Sequence, residues 1–232
     1  MALADSGAVT VETPDGVTLN GDVAVPDGAI GVVLFAHGSG SSRHSPRNRA
    51  VARRLVELGM ATLLADLLTE AEERVEATTG HLRFDIGLLA GRLQAATEWI
   101  IRNRSTAGRP VGYFGASTGA AAALVAAARP RGQIAAVVSR GGRPDLAHDD
   151  LPKVRAPTLL IVGSRDDVVL ELNCEALGKL RCTRDLRIVD GATHLFEEPG
   201  ALDEVARLAG DWFVRHLGGS HGDSTSNTLI DG

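Results

Sequence analysis

The chain has 232 residues, of which 44% are hydrophobic and 23% are charged, and its net charge is −5. This composition fits one large folded domain or two small ones, and the acidic balance argues against nucleic acid as the main partner. No apolar run approaches the ~18 residues of a membrane span, and residues 1–5 lack the pattern of a signal peptide, so we expect a cytoplasmic protein without a membrane partner. Cys174 and Cys182 are expected to be free thiols.

The first part of the chain predicts a hairpin followed by buried strands. Residues 8–12 and 17–25 predict two strands around the turn sequence Thr-Pro-Asp-Gly. The unbroken apolar runs 30–36 and 60–65 are typical of strands that are buried on both faces. A helix is predicted between them, from about residue 46 to residue 58.

The remainder alternates helices and strands. The acidic segment 66–80 has no sustained period and is interpreted as a surface excursion over the sheet. Helices are predicted at 82–103, 120–128, 170–180 and 201–217, and strands at the start of 111–119 and at 134–138, 157–162 and 185–189. The alternation implies an α/β fold with a parallel sheet and an antiparallel edge. One domain is expected over residues 1–217, followed by a disordered Gly/Ser/Asn-rich tail at 218–232.

A candidate nucleophile lies in the stretch 111–119. Gly115 and Gly119 flank Ser117 in the spacing Gly-x-Ser-x-Gly, between a predicted strand and a predicted helix. Small residues at these positions let a strand and a helix approach closely around a strained serine. The pattern therefore predicts a nucleophile elbow at Ser117.

Two further polar residues follow later predicted strands. Asp166 and His194 come in the chain order Ser, Asp, His, which is typical of the α/β-hydrolase catalytic triad. Histidine titrates near neutrality and can take the proton of Ser117, while a carboxylate on its other ring nitrogen orients the ring. Asp166 is preferred to Asp167 as this acid because it directly follows the predicted end of the strand.

An oxyanion hole is expected from backbone N–H groups beside the serine. The amide of Thr118 directly follows the nucleophile. The second donor is predicted to be the amide of Ser39, in a loop that Gly38 and Gly40 make compact. His37, in the same loop, is interpreted as structural rather than catalytic.

In these residues the chain resembles the α/β-hydrolase superfamily, and within it most closely the dienelactone hydrolase-like group. The four motifs that carry the resemblance are His37-Gly38-Ser39-Gly40, Gly115-Ala116-Ser117-Thr118-Gly119, Gly163-Ser164-Arg165-Asp166 and Gly191-Ala192-Thr193-His194. Within residues 8–217 the resemblance implies an eight-stranded, mostly parallel sheet with helices on both faces, no metal, no cofactor and hydrolysis of an ester-type bond. Dienelactone hydrolases of this pattern carry cysteine where this chain has Ser117, which favours a general serine esterase.

The function expected from this pattern is hydrolysis of small to medium carboxylic esters or lactones. The short segment between residues 60 and 111 leaves no room for a large lid, and aromatic residues make up only 3% of the chain. Two alternatives stay open: acyl transfer on the same triad, and a non-catalytic accessory or binding module of the same fold. The sequence does not indicate the natural substrate or the oligomeric state.

Arginines form a further candidate feature, since 22 of the 24 basic residues are arginine. Arg43 follows the predicted oxyanion loop, and Arg140 and Arg143 follow the predicted strand at 134–138. A guanidinium group in these loops is suited to bind an anionic group of the substrate. The alternative is that these arginines cap helices or pair with the acidic stretch 70–76.

Overall fold

The computed structural model describes residues 2–38, 40–129 and 134–218. Eight strands form one sheet in the order β1-β2-β4-β3-β5-β6-β7-β8. The strands are β1 (Leu3–Glu12), β2 (Thr18–Pro26), β3 (Val32–Ala36), β4 (Ala61–Ala65), β5 (Val111–Ala116), β6 (Ile134–Arg140), β7 (Thr158–Gly163) and β8 (Arg184–Val189). The helices are α1 (Pro46–Glu57), α2 (Glu70–Thr79), α3 (Ile86–Arg102), α4 (Thr118–Ala128), α5 (Asp167–Lys179) and α6 (Ala201–Leu217).

The sheet has the predicted mixture of directions. β1 pairs antiparallel with β2, and β2 pairs antiparallel with β4. All pairings from β4 to β8 are parallel, as the βαβ pattern predicts. The register aligns Ala36 with Gly115 and Ala116 with Arg140, so the carboxyl ends of β3, β5 and β6 meet at one edge.

Helices cover both faces of the sheet, as the sequence predicts. α1 and α6 bury their apolar stripes against one face, where Leu55 and Phe213 are fully buried. α3 and α4 cover the other face, where Leu93 and Leu124 are fully buried. The strands between these layers are apolar on both sides, which explains their unbroken hydrophobic runs.

The segment 66–80 differs from its prediction because it contains helix α2. Its polar surface gives no apolar period, so the sequence pattern does not indicate a helix. A reciprocal cap forms it instead: the Thr69 hydroxyl accepts from the Glu72 N–H at 3.3 Å, and the Glu72 carboxylate accepts from the Thr69 N–H at 2.7 Å. The next predicted helix begins late, because the side chain of Asp85 caps α3 and a short 3-10 turn precedes it.

The described part of the chain contains no helix that is long and apolar enough to cross a membrane. The predicted disordered tail lies outside the described residues except for Gly218, and the single domain over 1–217 stays a prediction.

Candidate active site

Ser117 lies at a sharp turn between β5 and α4. Its φ of 52° and ψ of −123° lie in a region that residues with a side chain rarely adopt, at a cost on the order of 1–3 kcal/mol. A Cβ atom at Gly115 would overlap the backbone of Ala120, and one at Gly119 would overlap the carbonyl oxygen of Ala36. The elbow predicted from the Gly-x-Ser-x-Gly spacing is therefore confirmed as a backbone conformation.

The segment after β6 holds this turn in place. The N–H of Ser117 donates to the carbonyl oxygen of Arg140 at 3.3 Å, and the N–H of Arg143 donates to the carbonyl oxygen of Ser117 at 3.1 Å. These bonds connect the elbow to the neighbouring strand on both sides of the serine. The strained conformation is thereby fixed by contacts distant in sequence.

Asp166 and His194 meet in the adjacent loops. His194 Nδ1 lies 2.7 Å from Asp166 Oδ2, and the Asp166 side chain is only 14% exposed. Since an ionised carboxylate only accepts, Nδ1 carries the proton and Nε2 is left as the acceptor nitrogen. Asp167 is exposed and begins α5. The geometry thus pairs His194 with the aspartate that the sequence favours.

Backbone bonds join the two loops that carry this pair. The N–H of Ser164 donates to the carbonyl oxygen of Val189, and the N–H of Arg165 donates to that of Ala192, both at 2.9 Å. A Cβ atom at Gly163 would overlap the Ala192 carbonyl. Glycine at this position is therefore required for the close approach of the loops.

Glu198 is a supporting residue that the sequence reasoning missed. Its Oε1 accepts from the N–H of Thr193 at 3.1 Å and from the Thr193 hydroxyl at 2.6 Å. These hydrogen bonds, that of the hydroxyl first, lower the pKa of Glu198. A glutamate four positions after a histidine carries no recognisable pattern, so only the folded chain connects it to the loop of His194.

The predicted oxyanion donors are described only in part. Thr118 is the buried first residue of α4, so its amide lies at the N-terminus of that helix. Gly38 packs on the elbow, since a Cβ there would lie 2.9 Å from the Cβ of Ser117. Ser39 lies outside the described residues, and its role as second donor stays a prediction.

His37 has a position consistent with a structural role. Its Nε2 accepts from the N–H of Leu67 at 3.0 Å, so the ring proton resides on Nδ1, which lies 3.1 Å from the Gly38 carbonyl oxygen. Burial lowers the pKa of His37. The neutral ring ties the loop after β3 to the chain that follows β4.

A narrow crevice with a volume of about 10 Å³ adjoins the elbow. Its walls include Gly38, Gly40 and Thr118 on one side and Leu68 and Glu73 on the other. Burial, followed by the neighbouring acidic residues, raises the pKa of Glu73. α2 thus lines a small space that Thr118, one of the predicted oxyanion donors, also lines.

The three candidate arginines are in different electrostatic states. Arg43 forms an ion pair with Asp66, and Arg143 forms one with Asp145 at 2.8 Å, so neither presents the free guanidinium group predicted for substrate binding. The positive charges of these two arginines are therefore neutralised by carboxylates of the same chain. Arg140 instead is buried, and its Nε and Nη1 have no hydrogen-bond partner.

No metal centre is evident in residues 2–38, 40–129 and 134–218, where no three His, Cys, Asp or Glu side chains are grouped to hold an ion. The free thiols predicted at Cys174 and Cys182 occur there as free cysteines.

A family model described as "Dienelactone hydrolase family" matches residues 19–215 of this chain. A crystal structure of a dienelactone hydrolase from Anabaena variabilis is 57% identical, with a TM-score of 0.89, and the match covers 92% of this chain and 98% of that chain. Est1E from Butyrivibrio proteoclasticus shares the fold at 18% identity, with a TM-score of 0.77 and coverage of 92% and 100% of the two chains.

A curated protein from Mycobacterium tuberculosis is also similar, at 61% identity over 203 residues. It bears the name "Putative phosphoribosyl transferase". The match covers 88% of this chain and 45% of that protein, so this chain spans about half the length of that relative.

Proposed function

The chain belongs to the dienelactone hydrolase family, and from this premise we propose that it hydrolyses small carboxylic esters or lactones through an acyl-enzyme on Ser117. The observation that carries the proposal is the short contact between His194 Nδ1 and Asp166 Oδ2, formed at the same sheet edge as the serine elbow. This contact fixes the tautomer that leaves Nε2 able to accept a proton.

In the first half of the reaction, Ser117 Oγ attacks the ester carbonyl carbon and its proton passes to His194 Nε2. Asp166 stabilises the imidazolium that forms. The amides of Thr118 and Ser39 donate to the oxyanion of the tetrahedral intermediate. When the intermediate collapses, the ester C–O bond breaks and the leaving alkoxide takes the proton from His194.

In the second half, water replaces the serine as the attacking group. His194 accepts a proton from the water while its oxygen bonds to the acyl carbon. The Ser117 oxygen then leaves, takes the proton back from His194 and releases the acid. With a lactone, the alcohol freed in the first half stays attached to the acyl chain.

The narrow crevice beside the elbow supports a substrate of limited size. Its walls come from the loop after β3, from α2 and from the start of α4, and its volume of about 10 Å³ leaves no room for a long acyl chain there. We therefore propose small, soluble esters rather than long-chain lipids.

The name of the M. tuberculosis relative denotes transfer of a phosphoribosyl group, which differs from acyl transfer on Ser117. That name belongs to a protein of which this chain matches 45%, so the unmatched part can account for it equally well. Acyl transfer would use the same serine with an acceptor other than water. Product analysis with added alcohols or amines separates transfer from hydrolysis.

The test is a series of para-nitrophenyl esters from acetate to dodecanoate, with wild type, Ser117→Ala and Ser105→Ala. We expect activity to fall with chain length, and Ser117→Ala to lower kcat/KM by on the order of 10⁴-fold or more because the nucleophile is lost. Ser105 bonds to Asp5 outside this site and is the matched control. Undiminished activity in Ser117→Ala would contradict the proposal, and a folded wild type inactive on all esters would favour the non-catalytic module.

A further inference from the structure

Arg140 has an unusual environment for an arginine. Its side chain is among the buried groups of the chain, with 8% of the residue exposed, and its Nε and Nη1 lack any hydrogen-bond partner. Burial lowers the pKa of Arg140 to about 10, so the group stays charged at neutral pH. A buried charge without a counter-ion costs several kcal/mol, and natural proteins rarely keep one without a ligand.

The groups around Arg140 compensate little of the cost of burying its positive charge. The guanidinium carbon lies 5.8 Å from the ring centre of Phe196, a contact that supports a cation without neutralising it. The charge of Arg47 is close enough to lower the pKa of Arg140 further. A second positive charge therefore lies near Arg140.

The position of Arg47 is also electrostatically unfavourable. Arg47 is the second residue of α1, whose first turn has no acidic residue, and the helix N-terminus disfavours a cation. One of its Nη atoms bonds to Glu197 at 3.0 Å, while its Nε is buried without a partner. The Arg47 side chain is 31% exposed, so this arginine reaches solvent.

Among the described residues, the carboxylates of the surrounding loops form no ion pair with Arg140. Asp166 bonds to His194, Asp145 pairs with Arg143, and Glu197 pairs with Arg47. Glu198 bonds to Thr193 through Oε1 and keeps a buried Oε2 without a hydrogen-bond partner, but neither Nε nor Nη1 of Arg140 bonds to it. The unmet charge is therefore a property of the folded site.

We infer that Arg140 and Arg47 bind a phosphate group carried by the ester or lactone substrate. This inference rests on the proposed function and names its substrate class. The two side chains offer three buried nitrogens without a hydrogen-bond partner, and these suit the three acceptor oxygens of a phosphate monoester better than the two of a carboxylate. Two positive charges and the α1 N-terminus also suit a group with a charge near −2.

The site is adjacent to the proposed chemistry. The carbonyl of Arg140 accepts from the Ser117 N–H, and Phe196 follows His194 by two positions. Gly141 lies between them, since a Cβ there would be 3.2 Å from the His194 carbonyl oxygen and 3.3 Å from the Phe196 ring. A phosphate held by Arg140 would therefore anchor a substrate whose ester lies at the serine.

The test compares three para-nitrophenyl esters of matched length: the neutral butyrate, the monoanionic hemisuccinate and the dianionic phosphonopropionate. For wild type we expect kcat/KM to be at least about tenfold higher for the phosphonopropionate than for the other two, as a charge-assisted hydrogen bond would give. Arg140→Met and Arg47→Met should each reduce this ratio, mainly through KM. Arg54→Met, a matched change at an exposed pair with Glu57 on α1, should leave it unchanged.

A second measurement does not depend on turnover. Inorganic phosphate should raise the melting temperature of wild type and should inhibit butyrate hydrolysis competitively, and both effects should be lost in Arg140→Met. Equal rates on the three esters, or a hemisuccinate rate equal to that of the phosphonopropionate, would overturn the inference while the proposed function stands. If no ester is hydrolysed, the proposed function fails, and the phosphate shift in wild type and its loss in Arg140→Met still decide the inference.

Discussion

The two flanks of Ser117 each bury one arginine, and these two arginines are in opposite states. On the cap flank, formed by α2, α3 and the turn between them, the buried Arg92 pairs with Glu72, and Arg83 pairs with Glu76. On the anion flank, formed by Arg140 and Arg47, Arg47 pairs with the exposed Glu197, whereas the Nε and Nη1 of the buried Arg140 have no hydrogen-bond partner. Paired cations hold a segment in place, whereas an unpaired buried cation costs stability. The contrast indicates which arginines maintain the fold and which are available to a ligand.

Arg92 illustrates the paired state. Its side chain is 3% exposed, one Nη donates to Glu72 at 2.6 Å, and the other donates to the carbonyl oxygen of Leu67 at 3.0 Å. The hydrogen bond from Arg92 lowers the pKa of Glu72. Because Glu72 also caps α2, this contact attaches the cap to α3.

The largest expected effect concerns Asp166, which is hydrogen-bonded to His194. Asp166→Asn should lower kcat/KM for the butyrate ester by on the order of 10⁴-fold, because the amide favours the wrong tautomer of His194. The matched control is Asp167→Asn, which we expect to change kcat/KM by less than about threefold because Asp167 is exposed and begins α5. Equal losses in the two variants would remove Asp166 from its proposed role.

The next largest effect is a difference in the free energy of unfolding between one substitution on each flank. Arg92→Met should lower the free energy of unfolding by about 3 kcal/mol, because it leaves Glu72 and the Leu67 carbonyl without their partner. Arg140→Met should raise it by about 1 kcal/mol, because an unpaired buried charge is replaced by an apolar group. Urea unfolding of both variants gives the two values. A loss of stability in Arg140→Met comparable to that in Arg92→Met would show that the flanks do not differ.

The smallest effect concerns His37, which supports the loop on the cap flank. Burial lowers the pKa of this ring below 6.5, so the unfolded chain binds a proton more readily than the folded one. The contribution of the neutral His37 ring to the free energy of unfolding is fully present above the pKa that the ring has in the unfolded chain. It is lost as pH falls below that value, by up to about 1.4 kcal/mol per pH unit between the unfolded and folded pKa values.

His37→Gln should therefore flatten the dependence of unfolding free energy on pH as pH falls below about 6.5, relative to wild type. Glutamine keeps an acceptor for the Leu67 N–H without the titration. An unchanged slope in His37→Gln would show that the ring is not held neutral.

Short-range patterns account for much of the fold and of the candidate site. The apolar runs locate the strands, and Gly115, Ser117 and Gly119 locate the elbow because its geometry requires small residues at fixed spacing. The order of Ser117, Asp166 and His194 predicts that they follow strands whose ends share one sheet edge. These features depend on a few neighbouring residues each.

The electrostatic partners could not be predicted, because they depend on long-range contacts. Arg43 meets Asp66 across 23 positions, Arg92 meets Asp15 across 77, and Arg47 meets Glu197 across 150. With 22 arginines in the chain, many alternative pairings fit the sequence equally well. Only the fold distinguishes Arg140 from Arg43 and Arg143.

The most direct test of the central claim is labelling with a fluorophosphonate, followed by mass spectrometry of the digested chain. The account predicts one label per chain, on the peptide that contains Ser117, absent in Ser117→Ala and slowed in Asp166→Asn. A label on another serine, or wild-type labelling in Ser117→Ala, would contradict the claim that Ser117 is the activated nucleophile.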